Sequence, residues 1–167
     1  MAWGLALGPV SVCSVAVRHG MVLTMPTYPN VSPNITHDEF SCHHCKKLPP
    51  DFFIFKQMYQ DLFDVFEHIR LVMKRGLPVE SGYRCVDHNV AVGGAPLSVH
   101  LFGLALDINV ETKEEGDRLY QIIERDRPDV RMGRYLSKPG LVHIDVGYLI
   151  TPRATPVWQR GVRWQNK

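Results

Sequence analysis

Between residues 51 and 75 the apolar positions recur at three- and four-residue steps: Phe55, Met58, Leu62, Phe66, Ile69 and then Val72 or Met73. That period lines one face of a helix, and a stripe so heavy in Phe reads as core rather than as a cofactor box. Gly76 stands where a helix C-cap is expected. Residues 77–79 then read as a short strand leading into Ser81-Gly82-Tyr83-Arg84, followed by a glycine-rich loop at Gly93-Gly94-Ala95-Pro96. The nearly unbroken apolar run at 104–110 reads as a buried strand. Thr112 and Glu115 have capping-box spacing and open a second helix to about residue 125, its apolar face made by Leu119, Ile122 and Ile123. Pro128 follows that helix. Residues 130–136 and 141–146 form a strand pair around a turn at Ser137-Lys138-Pro139-Gly140. Upstream, Thr36 and Glu39 predict a short helical turn at 38–42, approached through an irregular stretch at 26–38 that carries Pro26, Pro29 and Pro33.

The order helix, strand, strand, helix, strand, strand indicates an α+β fold: a small antiparallel sheet with helices packed on one side. A chain of 167 residues is long enough for one domain with a real core. That domain is assigned to 36–167, with 1–35 as an N-terminal extension, disordered or preceding a start at Met21 or Met25. The apolar stretch 1–17 lacks Lys or Arg ahead of its apolar run and is interrupted by Pro9, which argues against a signal peptide. No apolar run reaches the roughly 20 residues that span a bilayer. A formal charge of +2 is too small to argue for a nucleic-acid partner. The chain is expected to be a monomer.

Two segments carry candidate chemistry. Asp107 is set among Leu104, Ala105, Leu106 and Ile108, and a carboxylate there must be paired, hydrogen-bonded or metal-bound, because burying it alone is costly. His100 precedes it by seven positions. This is not the one-turn spacing of a helical His-Glu-x-x-His site, but it suits a turn running into a strand, with Gly103 permitting the bend. In 141–147, alternation places Val142, Ile144 and Val146 on one face and His143 with Asp145 on the other. On the residues alone, that pair is either a functional face or a hydrogen-bonded pair on a solvated sheet surface.

Taken in order, Ser81-Gly82-Tyr83-Arg84, Asn89 with Gly93-Gly94-Ala95, Ser98-x-His100-x-x-Gly103-x-Ala105-x-Asp107 and His143-x-Asp145 resemble the peptidases that include zinc D-Ala-D-Ala carboxypeptidases and phage L-alanyl-D-glutamate endolysins. The hedgehog signalling domain is a structural cousin of that family. The likeness is greatest to its short phage and prophage branch and covers about residues 36–164. The resemblance implies Zn2+ held by His100, Asp107 and His143. It implies substrate binding by Arg84 and Ser98, the arginine gripping a carboxylate or carbonyl, where a structural ion pair is the alternative. The implied substrate is the peptidoglycan stem peptide, cut at D-Ala-D-Ala or L-Ala-D-Glu by an enzyme made in the cytoplasm and acting at the periplasm or cell wall. Relatives carry an acidic residue three positions before the last zinc ligand, and Gly140 stands there instead. Asp145 is the nearest substitute as catalytic base, or else a group that orients a ligand, and Glu80 is a weaker candidate. The gap keeps a second reading open, a zinc-stabilised binding module without hydrolytic power.

Cysteines stand at 13, 42, 45 and 85. Their irregular spacing does not describe a disulfide framework. Cys42-x-x-Cys45 has the spacing of half a zinc ribbon to which His43 or His44 could contribute, but without a second such pair it reads as a buried thiol pair or a disulfide. His68 and His88 read as surface or hydrogen-bonded residues. Trp158, Arg160, Arg163 and Trp164 read as packing of a closing tail, with contact to glycan as the alternative.

Overall fold

The computed structural model describes residues 11–16, 22–27, 30–50, 52–54, 56–150 and 159–166. Strands β1 (Ser11–Ala16) and β2 (Val22–Thr27) pair antiparallel within the expected extension, whose other residues up to 29 lie outside those described. The approach at 26–38 is more regular than its prolines suggest: β3 (Asn30–Ser32) and β4 (Ile35–Thr36) form a small hairpin. Its apolar residues Val31 and Ile35 are buried in the core. Glu67 holds it from the long helix, accepting from the Ser32 hydroxyl (2.7 Å), the Asn34 backbone N–H (2.9 Å) and the Asn34 side-chain amide (2.6 Å). The core therefore begins ahead of residue 36. Helix α1 (His37–Phe40) follows, closed by the expected capping box between Thr36 and Glu39.

Helix α2 (Lys56–Met73) buries Tyr59, Leu62, Phe63, Val65, Phe66, Ile69 and Met73. Met58, placed on the apolar stripe by its spacing, is 41% exposed, while Asp51 and Phe55 lie outside the described residues. The left-handed residue that ends α2 is Lys74 (φ 57°), not Gly76, and its N–H donates to the Arg70 carbonyl. Strand β5 (Val79–Ser81) leads into α3 (Val86–Ala91), a 3-10 turn (Val99–Phe102) and β6 (Ala105–Asn109). Helix α4 (Lys113–Asp126) starts at Thr112, whose hydroxyl accepts from the Glu115 N–H.

Strands β7 (Arg131–Tyr135) and β8 (Lys138–Asp145) form the expected hairpin, but the turn is Leu136-Ser137, with Tyr135 already paired to Lys138. Pro139 and Gly140 belong to β8. After a second 3-10 turn (Gly147–Leu149), the chain returns as β9 (Arg163–Asn166). Sheet order is β5-β6-β8-β7-β9, antiparallel except for the parallel β7–β9 pair. The tetrapeptide of β9, Arg-Trp-Gln-Asn, has one apolar side chain and is too short to establish an alternation, so sequence pattern gives it no clear strand signal.

Register gives the sheet two faces. Leu106, Ile108, Met132, Val142 and Ile144 join Leu62, Phe66 and Ile69 of α2 and Leu119, Ile122 and Ile123 of α4 in one core. The fold is thus α+β, with helices packed against one side. On the opposite face a single row runs across all five strands: Ser81, Asp107, His143, Gly133 and Trp164.

Gly140 has a packing reason. A Cβ there would sit 2.8–3.0 Å from backbone atoms of Glu111, which cannot swing aside as a side-chain tip can. Gly140→Ala is expected to destabilise the fold by about 1–3 kcal/mol, the usual cost of overpacking, measured by denaturant unfolding at unchanged m-value. Stability equal to the parent would show that the β8 edge yields freely.

Candidate metal centre and cleft

Each of the three site residues is delivered by a different local device. His100 lies in the 3-10 turn that ends at Gly103, a left-handed residue (φ 69°) whose missing side chain also leaves room for Pro49, only 2.5 Å from where a Cβ would stand. The bend directs the chain into β6, where Asp107 takes the side of the sheet opposite Leu106 and Ile108. His143 is its direct cross-strand partner on β8. All three are buried.

Their atoms converge. His100 Nε2 lies 3.2 Å from His143 Nδ1 and 3.2 Å from Asp107 Oδ2, while His143 Nδ1 lies 2.9 Å from Asp107 Oδ1. The far side of each ring is also fixed. His100 Nδ1 is 2.6 Å from the Gly82 carbonyl oxygen, and His143 Nε2 is 2.9 Å from Asp145 Oδ2. Carbonyl and carboxylate oxygens only accept, so those two nitrogens carry the hydrogens. In the neutral rings, His100 Nε2 and His143 Nδ1 then present lone pairs to each other and to a carboxylate. Such a set is stable only around shared positive charge, a proton or a metal cation.

Tetrahedral ligands at about 2.0–2.1 Å from an ion lie about 3.3–3.4 Å apart, close to the spacings found. The His-Asp-His donor set therefore fits a divalent cation of the zinc type. Electrostatics divide the two rings, and in the absence of a metal ion the shared positive charge is a proton on His143. Burial keeps the His100 imidazole below its ordinary value and favours the neutral ligand form. Burial also opposes a charged His143, but hydrogen bonds to Asp107 and Asp145 and the charges of both carboxylates outweigh it and push that imidazole up to about 9. For Asp107, the two imidazoles overcome the effect of burial and hold the carboxyl well below the usual carboxylate range.

Asp145, expected as base or as orienting group, has both oxygens engaged. Oδ2 faces His143, while Oδ1 accepts from Arg131 Nη1 (3.0 Å) and the Gly147 N–H (2.8 Å). It lies on the far side of the His143 ring from Asp107. Glu80 accepts from Lys138 Nζ (2.8 Å) and the Asn109 amide (2.9 Å) and does not line the cleft beside the site.

That cleft has a volume of about 580 Å³, and Arg84, Ser98, His100 and His143 all line it. Arg84 Nη2 is 3.8 Å from Asp107 Oδ2, and its buried Nε has no hydrogen-bond partner among the described residues. Sequence reading missed Arg131 and Tyr135, which also line the cleft, as does Trp164, read from sequence as packing of a closing tail with contact to glycan as the alternative. Tyr135 reaches Asp107 Oδ1 through its hydroxyl (3.4 Å), and burial, reinforced by the Asp107 charge, keeps that phenol protonated. Trp164 lies across Gly133, where a Cβ would be 2.1 Å from the indole, with its ring 5.1 Å from that of His143. Arg131 and Tyr135 had a usable signal, since alternation along β7 puts both on the site face with Gly133. Trp158 lies outside the described residues.

Residues 33–145, about two thirds of the chain, match the family model described as Peptidase M15. No curated protein matches the chain. The matched region contains Arg84, Ser98 and all three converging residues, whereas Trp164 and β9 fall beyond it. No helix among the described residues is long and apolar enough to cross a membrane.

Because Asp145 holds the His143 ring by its far nitrogen, Asp145→Asn is expected to weaken metal affinity about 10–100-fold, the usual effect of losing such an outer partner. Calorimetric titration of metal-stripped protein with zinc or cobalt measures it. Unchanged affinity would show that Asp145 does not support the metal-binding ring.

Proposed function

The chain belongs to the Peptidase M15 family, and from that premise we propose that it is a zinc-dependent peptidase that cuts peptide bonds in the stem peptides of bacterial peptidoglycan, acting at the cell wall. The observation that carries the reading is the buried meeting of His100, Asp107 and His143, three potential metal ligands within 4.8 Å of one another, of which the two histidines line the cleft. A zinc ion held by these groups would polarise a peptide carbonyl and lower the pKa of a bound water.

The chain's own residues supply the rest. Arg84 lines the cleft beside Asp107, its buried Nε–H is without a hydrogen-bond partner among the described residues, and its guanidinium is the planar two-pronged donor suited to a stem-peptide carboxylate or carbonyl. Ser98, on the same wall, adds a hydroxyl to the substrate-binding surface. Tyr135 keeps its proton and can donate it as a hydrogen bond to oxygen charge developing near the centre. Asp145 acts as a positioning residue through His143, backed by Arg131, and its engaged oxygens argue against direct proton transfer from a nucleophile.

One observation favours a second reading. Among the described residues that line the cleft, the only carboxylate is Asp145, and it is already committed to His143, Arg131 and the Gly147 N–H. A zinc-stabilised module that binds stem peptides without cutting them needs no further base.

Mass spectrometry of purified peptidoglycan incubated with metal-loaded protein separates the two. New amino and carboxyl termini at D-Ala-D-Ala or L-Ala-D-Glu, absent after chelation and in His100→Ala, are expected. Intact stem peptides with retained, zinc-dependent binding would establish the module instead. In the peptidase, Arg84→Lys is expected to lower kcat/KM about 10–100-fold, the size of a lost charged hydrogen bond of about 1.5–3 kcal/mol. Full activity with lysine would contradict bidentate recognition.

A further inference from the structure

A second cluster of metal-ligating side chains lies where α1 meets the segment that follows β5. Cys42, Cys45 and Cys85 are free thiols whose sulfurs all lie within 4.8 Å of one another. Cys42 Sγ is 3.6 Å from Cys85 Sγ and 3.5 Å from His88 Nδ1. A tetrahedral zinc ion with bonds of about 2.3 Å to sulfur and 2.0–2.1 Å to nitrogen sets its ligands about 3.8 Å (S to S) and about 3.6 Å (S to N) apart. Both observed separations match that frame.

The backbone around the cluster is arranged for thiolates. The Cys85 N–H donates to Cys42 Sγ (3.3 Å), and the backbone N–H groups of His44 and Cys45 also bear on that sulfur. The His88 N–H donates to Cys85 Sγ (3.5 Å). Residues 42–47 close on themselves: the Lys46 N–H donates to the Cys42 carbonyl (2.8 Å), and the Cys42 N–H donates to the Lys47 carbonyl (2.9 Å). Lys46 takes the left-handed conformation (φ 57°) that this tight turn requires. Cys42 and Cys45 are thereby held side by side.

In sequence, the partner of Cys42-x-x-Cys45 is Cys85-x-x-His88 rather than a second Cys-x-x-Cys. Its two residues lie 43 positions downstream of their counterparts, and the fold alone brings the halves together. The three thiols alone all stand within 4.8 Å of one another; His88, read from sequence as a surface or hydrogen-bonded residue, is the candidate fourth ligand through its approach to Cys42. His43 and His44 stand beside it, with ring centres 6.4 and 6.3 Å from its own.

We propose that Cys42, Cys45, Cys85 and His88 form a structural zinc site, separate from the His-Asp-His centre. It clips the chain after α1 to the loop that carries Arg84. The clip adds to contacts already present there, since Phe40 O accepts the Tyr83 N–H (2.8 Å) and the Arg84 N–H donates to the His100 carbonyl (3.0 Å). Four protein ligands close the coordination sphere, so the ion holds structure and takes no part in hydrolysis. Through Cys85, the metal fixes the backbone one residue from the arginine that faces the cleft.

The test uses the full chain purified under reducing conditions. Elemental analysis is expected to give about two zinc ions per chain, falling to about one in His100→Ala and to about one in Cys85→Ser. Cobalt-loaded His100→Ala should show intense thiolate-to-cobalt charge-transfer absorption in the near ultraviolet, which a nitrogen-and-oxygen centre lacks. It needs no cysteine variant, so it decides the matter even if Cys85→Ser does not fold. In His88→Ala the ligand-field spectrum should change and a competing chelator should remove the metal faster. A single zinc lost entirely in His100→Ala, absence of the charge-transfer band, or a Cys42–Cys85 disulfide in the reduced-purified protein would overturn the site. An unaltered spectrum in His88→Ala would overturn the assignment of the fourth ligand.

Discussion

The candidate centre is organised by one electrostatic constraint: two imidazole nitrogens and a carboxylate face one another within about 3 Å in a buried space and need a shared positive charge. The arrangement is held from outside. Gly82 and Asp145 take the protons on the far ring nitrogens, and Arg131 with the Gly147 N–H holds Asp145 in turn. Sheet register supplies the rest, because Asp107 and His143 are direct partners on adjacent strands. A one-residue slip of either strand would send its side chain to the helix face and dissolve the group.

That constraint also orders the sheet around it. The same row that joins Asp107 to His143 continues through Gly133 to Trp164, so the indole can lie against the imidazole only because residue 133 has no side chain. The helix face is the apolar counterpart, where Leu106, Ile108, Val142 and Ile144 alternate with the site residues and anchor both strands in the core. Stability and chemistry are thus carried by alternate positions of the same two strands.

Where local pattern and burial agree, the sequence was legible. Asp107 in an apolar run, the alternation of His143 with Val142 and Ile144, and the spacing of α2 and α4 all pointed to the elements found. The resemblance then joined His100, Asp107 and His143 across 43 positions, which no local rule could do. Most of what was hidden depends on long-range contacts. The β3–β4 hairpin is stabilised by Glu67 on α2, and β9 exists through parallel pairing with β7. Lys74, not Gly76, is the left-handed residue that ends α2, a local choice that the glycine rule does not anticipate. The thiol cluster was obscured for a similar reason: its second half pairs a cysteine with a histidine, and only the fold places that pair beside Cys42.

The most direct measurement of the central claim is anomalous scattering at the zinc edge from crystals of the full chain. A peak is predicted at about 2.0–2.2 Å from His100 Nε2, an Asp107 oxygen and His143 Nδ1 together. Absence of metal at that point in zinc-loaded crystals, or a His143 ring turned to bind through Nε2, would contradict the account.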